Sequence, residues 1–347
     1  MNSAAEGIKP LLNKVAAGQA LSEPEAEHAF DIIMSGDATP AQIGAFLMAL
    51  RVRGETVDEI TAAARIMRSK ALMIKAPKNA IDVVGTGGDA SGTLNISTGS
   101  AIVVAGCGVP IAKHGNRALS SKAGAADVLG ALGVNIDCDM PLIEKSIREA
   151  GIGFMMAPRH HSATRHVAGP RVELATRTIF NILGPLSNPA GVNRLLVGVF
   201  AKEWVEPMAE VLGKLGAEKA WVIHGSDGID ELTTTGPSYV SAYENGKVTN
   251  FEVSPADAGI PFSKTEDLKG GDAEENAKAM TAMLSGEKSA FRDIVIYTAA
   301  AALIVADKAS DLKEGADIAA DSIDSGKAQQ ALDLMVSITN EGNATAA

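Results

Sequence analysis

The sequence predicts an α/β protein: a small all-helical domain plus a larger domain with a mostly parallel central sheet covered by helices. Three observations predict it. Residues 1–75 carry helix signals and no strand pattern. From Ile81 onward, short β-branched apolar runs alternate with helical stretches, the pattern of βαβ units. The composition, 46% apolar residues but 4% aromatics with 35 glycines in 347 residues, suits a large α/β core.

The helical segment is read from its punctuation. Ser22 with Glu25, Thr39 with Gln42 and Thr56 with Glu59 form capping boxes. Pro40 stands at a first helical position, and Gly36 and Gly54 mark helix ends. Ile43, Phe46, Leu47 and Leu50 share one apolar face. No chemistry is visible there, which fits a packing or oligomerisation domain, and Pro77 with its flanking lysines marks the linker. Strands are expected at 81–84, 108–112, 152–157, 195–200 and 220–224, with helices at 97–106, 121–132, 140–150 and 203–216 between them. Residues 238–253 alternate about Asn245-Gly246, a hairpin signature. Helices at 273–285, 289–306, 310–323 and 327–340 close the chain, before a frayed NATAA. The apolar run 294–305, bounded by Arg292 and Asp307, is too short for a bilayer and reads as a buried helix.

Composition narrows the function classes. A net charge of −11 opposes a nucleic-acid surface, which needs a basic stripe. Cys107 and Cys138 are too few for a disulfide framework, and the first ten residues lack the apolar stretch of a signal peptide. The expectation is a cytoplasmic protein without membrane association.

The chemistry centres on IDVVGTGGDASGTLNIST at 81–98. A strand from Ile81 runs into a loop punctuated by Gly85, Gly87, Gly88 and Gly92, and Asn95, Ser97 and Thr98 offer caps for the next helix. Backbone amides freed of Cβ atoms, next to a helix N-terminus, form an anion cradle. The dinucleotide reading needs an acid about 20 residues on, and residues 90–126 contain no Asp or Glu. A Walker loop needs Gly-Lys-Ser/Thr, which is absent. Lys113-His114-Gly115-Asn116-Arg117 and Lys122 then form a positive island in an acidic chain, suited to a polyanionic ligand.

Two later clusters join it. His160, His161 and His166 do not have the spacing of a helical zinc site. Arg165, Arg171 and Arg177 recur at intervals of six; they read either as helix-surface cations pairing with Glu173 or as forks aimed at a carboxylate. Asp230-Glu231 follows the strand at 220–224, a carboxylate pair that reads as a solvated loop or, beside a diphosphate, as a Mg²⁺ site.

Together GTGGD at 85–89, NIST at 95–98, KHGNR at 113–117, AGAAD at 123–127, APRHH at 157–161, RVELATRTIFNILGPLSNP at 171–189 and DGIDE at 227–231 resemble the anthranilate phosphoribosyltransferases. The likeness runs nearly the full length. It implies residues 1–76 as the helical domain, joined in space by about 171–190, and 77–170 with 191–347 as the α/β domain. It implies a homodimer through the helical domain. It also implies Mg²⁺-dependent transfer of the phosphoribosyl group of 5-phosphoribosyl 1-diphosphate to anthranilate in tryptophan biosynthesis. The phosphoribosyl diphosphate would be held by Gly85, Gly88, Asp89, Thr93, Asn95, Ile96, Ser97, Thr98, Lys113, His114, Gly115, Asn116, Arg117, Ala118, Leu119, Ser120, Ser121 and Ala125. Anthranilate would meet Gly85, Asn116, His161 and Arg171, and Mg²⁺ would meet Ser97, Asp230 and Glu231. Lys113 and Arg171 would stabilise the transition state, with no general acid or base assigned.

The chain departs from the resemblance at Ala123-Gly124-Ala125-Ala126-Asp127, where the family has S-G-S-A-D, and at Ser162-Ala163-Thr164, where it has P-A-M. The alternative readings are a pyrimidine nucleoside phosphorylase-like enzyme and a non-catalytic nucleic-acid-binding relative.

Overall fold

The computed structural model describes residues 7–118 and 122–342. The chain opens with four helices, α1 (Lys9–Ala16), α2 (Glu23–Ser35), α3 (Pro40–Arg53) and α4 (Val57–Ser69). Their starts are chemical. Thr39 Oγ1 accepts the Gln42 N–H at 3.3 Å, while Gln42 Oε1 accepts the Thr39 N–H at 2.9 Å. At Thr56 the matching carboxylate of Glu59 is fully buried and also takes the Leu21 N–H at 2.9 Å and the Arg53 guanidinium. A buried carboxylate so satisfied fixes the α1–α2 connection against α4; removing a partner would cost about 3–5 kcal/mol.

The sheet then builds outward in βαβ steps. β1 (Ile81–Gly85) leads through α5 (Ile96–Gly106) to β2 (Ile111–Gly115), and on through α6 (Ala125–Ala131) and α7 (Met140–Glu149) to β3 (Ile152–Met156). Three helices, α8 (Ala157–His160), α9 (Arg165–Leu174) and α10 (Phe180–Leu183), precede β4 (Arg194–Gly198), α11 (Val205–Lys214) and β5 (Lys219–Gly225). A hairpin of β6 (Ser238–Glu244) and β7 (Lys247–Val253) follows, turning on Asn245 and Gly246, both at positive φ. The order is β3-β2-β1-β4-β5-β6-β7, parallel from β3 to β5 and antiparallel in the hairpin. The chain thus winds first to one side of β1 and then to the other. That reversal opens a crevice at the strands' carboxyl ends, where open α/β sheets bind ligands.

Two expected boundaries move. The strand expected at 108–112 lies at Ile111–Gly115, so Lys113 and His114 are strand residues rather than a following loop. The helix expected at 121–132 runs Ala125–Ala131, and residue 121 is outside the described residues.

α12 (Ala273–Leu284), α13 (Ala290–Val305), α14 (Leu312–Asp324) and α15 (Lys327–Thr339) complete the chain. α13 packs on α5 and α14 and is buried over most of its length. Its buried Arg292 is matched by Asp324 at 2.9 Å. No helix among the described residues is long and apolar enough to cross a membrane.

The segment between β3 and β4 returns to the first four helices. α9 packs on α2 and α3, and α10 on α4. Phe180 sets its ring edge-on to Phe30 at 6.3 Å, beside the Phe30–Phe46 pair at 5.7 Å. Arg68 donates to the Leu186 carbonyl at 2.6 Å.

Candidate active site

A cleft of about 380 Å³ opens at the carboxyl ends of β1, β2 and β5. Its floor is the glycine loop after β1. Gly87 and Gly88 adopt φ of 64° and 75°, conformations that need the missing Cβ. The Gly87 N–H donates to Asp230 Oδ2 at 2.6 Å, and the Ser97 N–H, in the first turn of α5, to Glu231 Oε1 at 3.0 Å. The two acids of the DGIDE run therefore reach back over the sheet to the loop and to a helix N-terminus.

Two glycines permit this crossing. Gly85 and Gly198 are register partners on β1 and β4. A Cβ at Gly198 would fall 1.6 Å from the Asp230 carbonyl oxygen, and one at Gly85 2.3 Å from Asp230 Oδ2. Nothing local in the sequence marks Gly198; its partner Asp230 is 32 residues away and crosses from another loop.

The electrostatics follow from burial. The Glu231 carboxyl is raised well above its usual range by burial and by Asp230. Asp230 is pushed up to about 7 by burial and by Asp89. Lys113 is 1% exposed and donates Nζ to the Val83 carbonyl at 2.6 Å. Burial lowers its pKa, opposed by Asp82 first and then by Glu231 and Asp230. The expected positive island is thus reshaped: Lys113 lies inside the sheet among carboxylates, and Arg117 pairs with Asp127 at 3.1 Å. Asp82, itself held by Asn188 Nδ2 at 2.7 Å, shares Lys113, so the Asp230–Glu231 pair is left short of counter-charge. Among the described residues no three His, Cys, Asp or Glu side chains form a closed metal cage. Mg²⁺ needs none: one or two carboxylates plus ligand oxygens and water suffice, and this hard-oxygen pair fits it.

The cleft's other end is aromatic and basic. Arg171, half-buried on α9, places its Cζ 5.5 Å from the Phe180 ring centroid. His161 lies edge-on to His114 at 5.1 Å, and both rings are buried and held neutral, near pKa 4 and 3, chiefly by burial. His160 points elsewhere, to the Leu72 carbonyl at 2.7 Å. Among the described residues Glu173 makes no ion pair with Arg165, Arg171 or Arg177.

The cleft wall thus brings together most of the expected residues: Gly85, Gly88, Asp89, Thr93, Asn95, Ile96, Ser97, Lys113, His114, Gly115, Asn116, Arg117, Ala118, Ala125, His161, Arg171, Asp230 and Glu231. Thr98 stands one step behind, buried in α5. Leu119, Ser120 and Ser121 lie outside the described residues. Phe180, Asn181 and Gly184 also line the cleft. They belong to the RTIFNILGPL run, and only the fold reveals that this run faces β2.

The "Glycosyl transferase family, a/b domain" matches residues 77–329, and the "Glycosyl transferase family, helical bundle domain" matches 9–71. The chain is 64% identical over 334 residues to an anthranilate phosphoribosyltransferase of Rhodospirillum rubrum, covering 96% of each. It is similar to the crystal structure of anthranilate phosphoribosyltransferase from Thermus thermophilus, with 42% identity, TM-score 0.90, and 95% and 99% of the two chains covered. It is also similar to the Saccharomyces cerevisiae enzyme in complex with PRPP and Mg, with 27% identity, TM-score 0.86, and 96% and 98% covered.

Proposed function

Since the chain belongs to the anthranilate phosphoribosyltransferase family, we propose that its cleft holds 5-phosphoribosyl 1-diphosphate on the glycine loop and anthranilate against Arg171. The enzyme transfers the phosphoribosyl group to the amine of anthranilate, giving N-(5-phosphoribosyl)anthranilate and diphosphate in tryptophan biosynthesis, with Mg²⁺ as cofactor. At 64% identity to such an enzyme, neither the nucleoside phosphorylase-like reading nor the nucleic-acid-binding one is favoured.

One observation carries the residue roles: Asp230 and Glu231 reach across Gly85 and Gly198 to the glycine loop and the start of α5. That places carboxylates, free loop amides and a helix N-terminus around one space. Departure of diphosphate leaves positive charge on the ribose, so the protein's task is to stabilise the leaving oxygens and align the amine. The loop amides and the α5 N-terminus face the diphosphate. Ser97, Asp230 and Glu231 would hold Mg²⁺, which when bound supplies positive charge beside the leaving group. Lys113, hydrogen-bonded to the Val83 carbonyl and within the field of Asp82, sets the potential beneath the loop. Arg171 offers its planar fork to the anthranilate carboxylate, with His161 and Asn116 beside it. The aromatic amine has a free lone pair at neutral pH, so no strong base is required.

The α/β portion, 77–170 with 191–347, carries the diphosphate site, and 1–76 with about 171–190 forms the helical domain. That domain pairs two copies: Val52 on α3 and Val172 on the adjoining α9 are 82% and 78% exposed. The location is cytoplasmic. The test of the reaction is loss of anthranilate fluorescence on adding 5-phosphoribosyl 1-diphosphate and Mg²⁺. Signal loss without the diphosphate ester, or none with it, would reject the reading.

A further inference from the structure

The glycine loop is held from behind as well as from within the cleft. Arg177, just beyond α9, is not part of the cleft wall. Its guanidinium donates to the Gly88 carbonyl, and its Cζ lies 4.3 Å from the Phe200 ring centroid. Phe200 in turn donates its N–H to Thr86 Oγ1 at 3.1 Å, and the Arg177 carbonyl accepts from Arg51 of α3 at 2.6 Å. On the other flank, Lys269 donates Nζ to the Ser91 carbonyl at 2.5 Å and forms an isolated antiparallel bridge with Thr93. Neither cation forms an ion pair among the described residues; each is spent on a loop carbonyl.

The consequence is directional. In a trans peptide the C=O and the next N–H point opposite ways. With the Gly88 and Ser91 carbonyls turned outward to cations, the N–H groups of Asp89 and Gly92 turn the other way. Neither finds an acceptor among the described residues, and both residues line the cleft. Between them Ala90 sits at φ 59°, a left-handed conformation that a non-glycine residue keeps only when its surroundings hold it.

We propose that Arg177 and Lys269 are positioning residues for 5-phosphoribosyl 1-diphosphate, anchoring loop carbonyls so that the Asp89 and Gly92 amides stay aimed at its phosphate oxygens. This rests on the reading that the glycine loop holds the diphosphate ester. Arg177 also links the loop to α3, its guanidinium on Gly88 and its backbone carbonyl on the Arg51 side chain, so the helical segment and the anion cradle meet at one residue.

The test is steady-state kinetics of the full-length enzyme with Arg177→Ala, Arg177→Lys and Lys269→Met. The expected result is a KM for 5-phosphoribosyl 1-diphosphate raised about tenfold, the worth of one charged hydrogen bond. The KM for anthranilate should stay within about twofold, and Arg177→Lys should recover part of the loss. If Arg177→Ala does not fold, Arg177→Lys and Lys269→Met carry the comparison. Unchanged KM for the diphosphate ester in folded variants, or equal rises for both substrates, would overturn the proposal. A wild-type enzyme inactive on the two substrates would instead overturn the functional reading itself.

Discussion

Replacing Gly198 by alanine isolates the crossing of the acidic loop over the sheet. The added methyl group would stand 1.6 Å from the Asp230 carbonyl oxygen, and ordinary contact begins at 3.4 Å. Gly198 is locked in register with Gly85 on one side and Ile223 on the other, so the strand cannot yield and the loop must retreat. The retreat is about 2 Å at close-packed density. It takes with it the Asp230 and Glu231 carboxylates, which bond Gly87 and Ser97. A misplacement of about 1 Å can cost ~100-fold in rate. We therefore expect kcat/KM to fall at least ~100-fold, about 2.7 kcal/mol. The Mg²⁺ titration should shift to higher concentration. The assay is anthranilate fluorescence across a Mg²⁺ series, alongside a thermal melt. Gly130→Ala is the control, because a Cβ on that exposed glycine of α6 meets nothing within 4 Å. A Gly198→Ala enzyme that is folded, with wild-type kcat/KM and metal titration, would refute the reasoning.

Arg171→Ala should raise the KM for anthranilate about tenfold or more while sparing that for the diphosphate ester; an equal rise in both would make Arg171 a packing residue of the α9–Phe180 contact. Asp230→Asn with Glu231→Gln should displace the Mg²⁺ activation curve, read by titration at fixed substrate, and superimposable curves would reject their role. His161, held near pKa 4 and 2% exposed, should cost stability in acid. Its folded pKa lies below the unfolded value near 6.5, so its contribution is complete above that pH and is lost as pH falls toward 4. The total is about 3 kcal/mol, and His161→Gln should flatten the stability profile across that window in urea titrations. Val52→Asp with Val172→Asp should halve the mass seen by light scattering, and an unchanged mass would remove the helical face as the pairing surface.

Elements with local causes were legible in the sequence. Capping boxes at Thr39 and Thr56 start their helices as expected, and Asn245-Gly246 turns a hairpin. The strand at Ile111–Gly115 lies beyond its expected place for a physical reason. Hydrophobic-run logic stops at Ala112, since a lysine and a histidine ordinarily announce solvent. Here Asp82, two further carboxylates and the Val83 carbonyl make a buried lysine tolerable. The site's inner motifs were readable because glycines, caps and paired acids have short-range chemistry. Its supports were not: Arg177 meets Gly88 across 89 positions and Lys269 meets Ser91 across 178, distances no periodicity encodes.

The return of Phe180 to Phe30 and Phe46 bears on how the chain is made. When residue 76 leaves the ribosome, the first four helices still lack the ring that closes their aromatic cluster. About a hundred more residues must emerge, which at roughly 5–20 residues per second takes on the order of ten seconds. During synthesis the N-terminal helices wait with part of their interior uncovered, exposed to chaperones or to aggregation. In stalled nascent chains, chaperone cross-links placed at Phe30 and Phe46 should weaken once residue 190 has emerged, while those placed on β1 should persist until β4 follows.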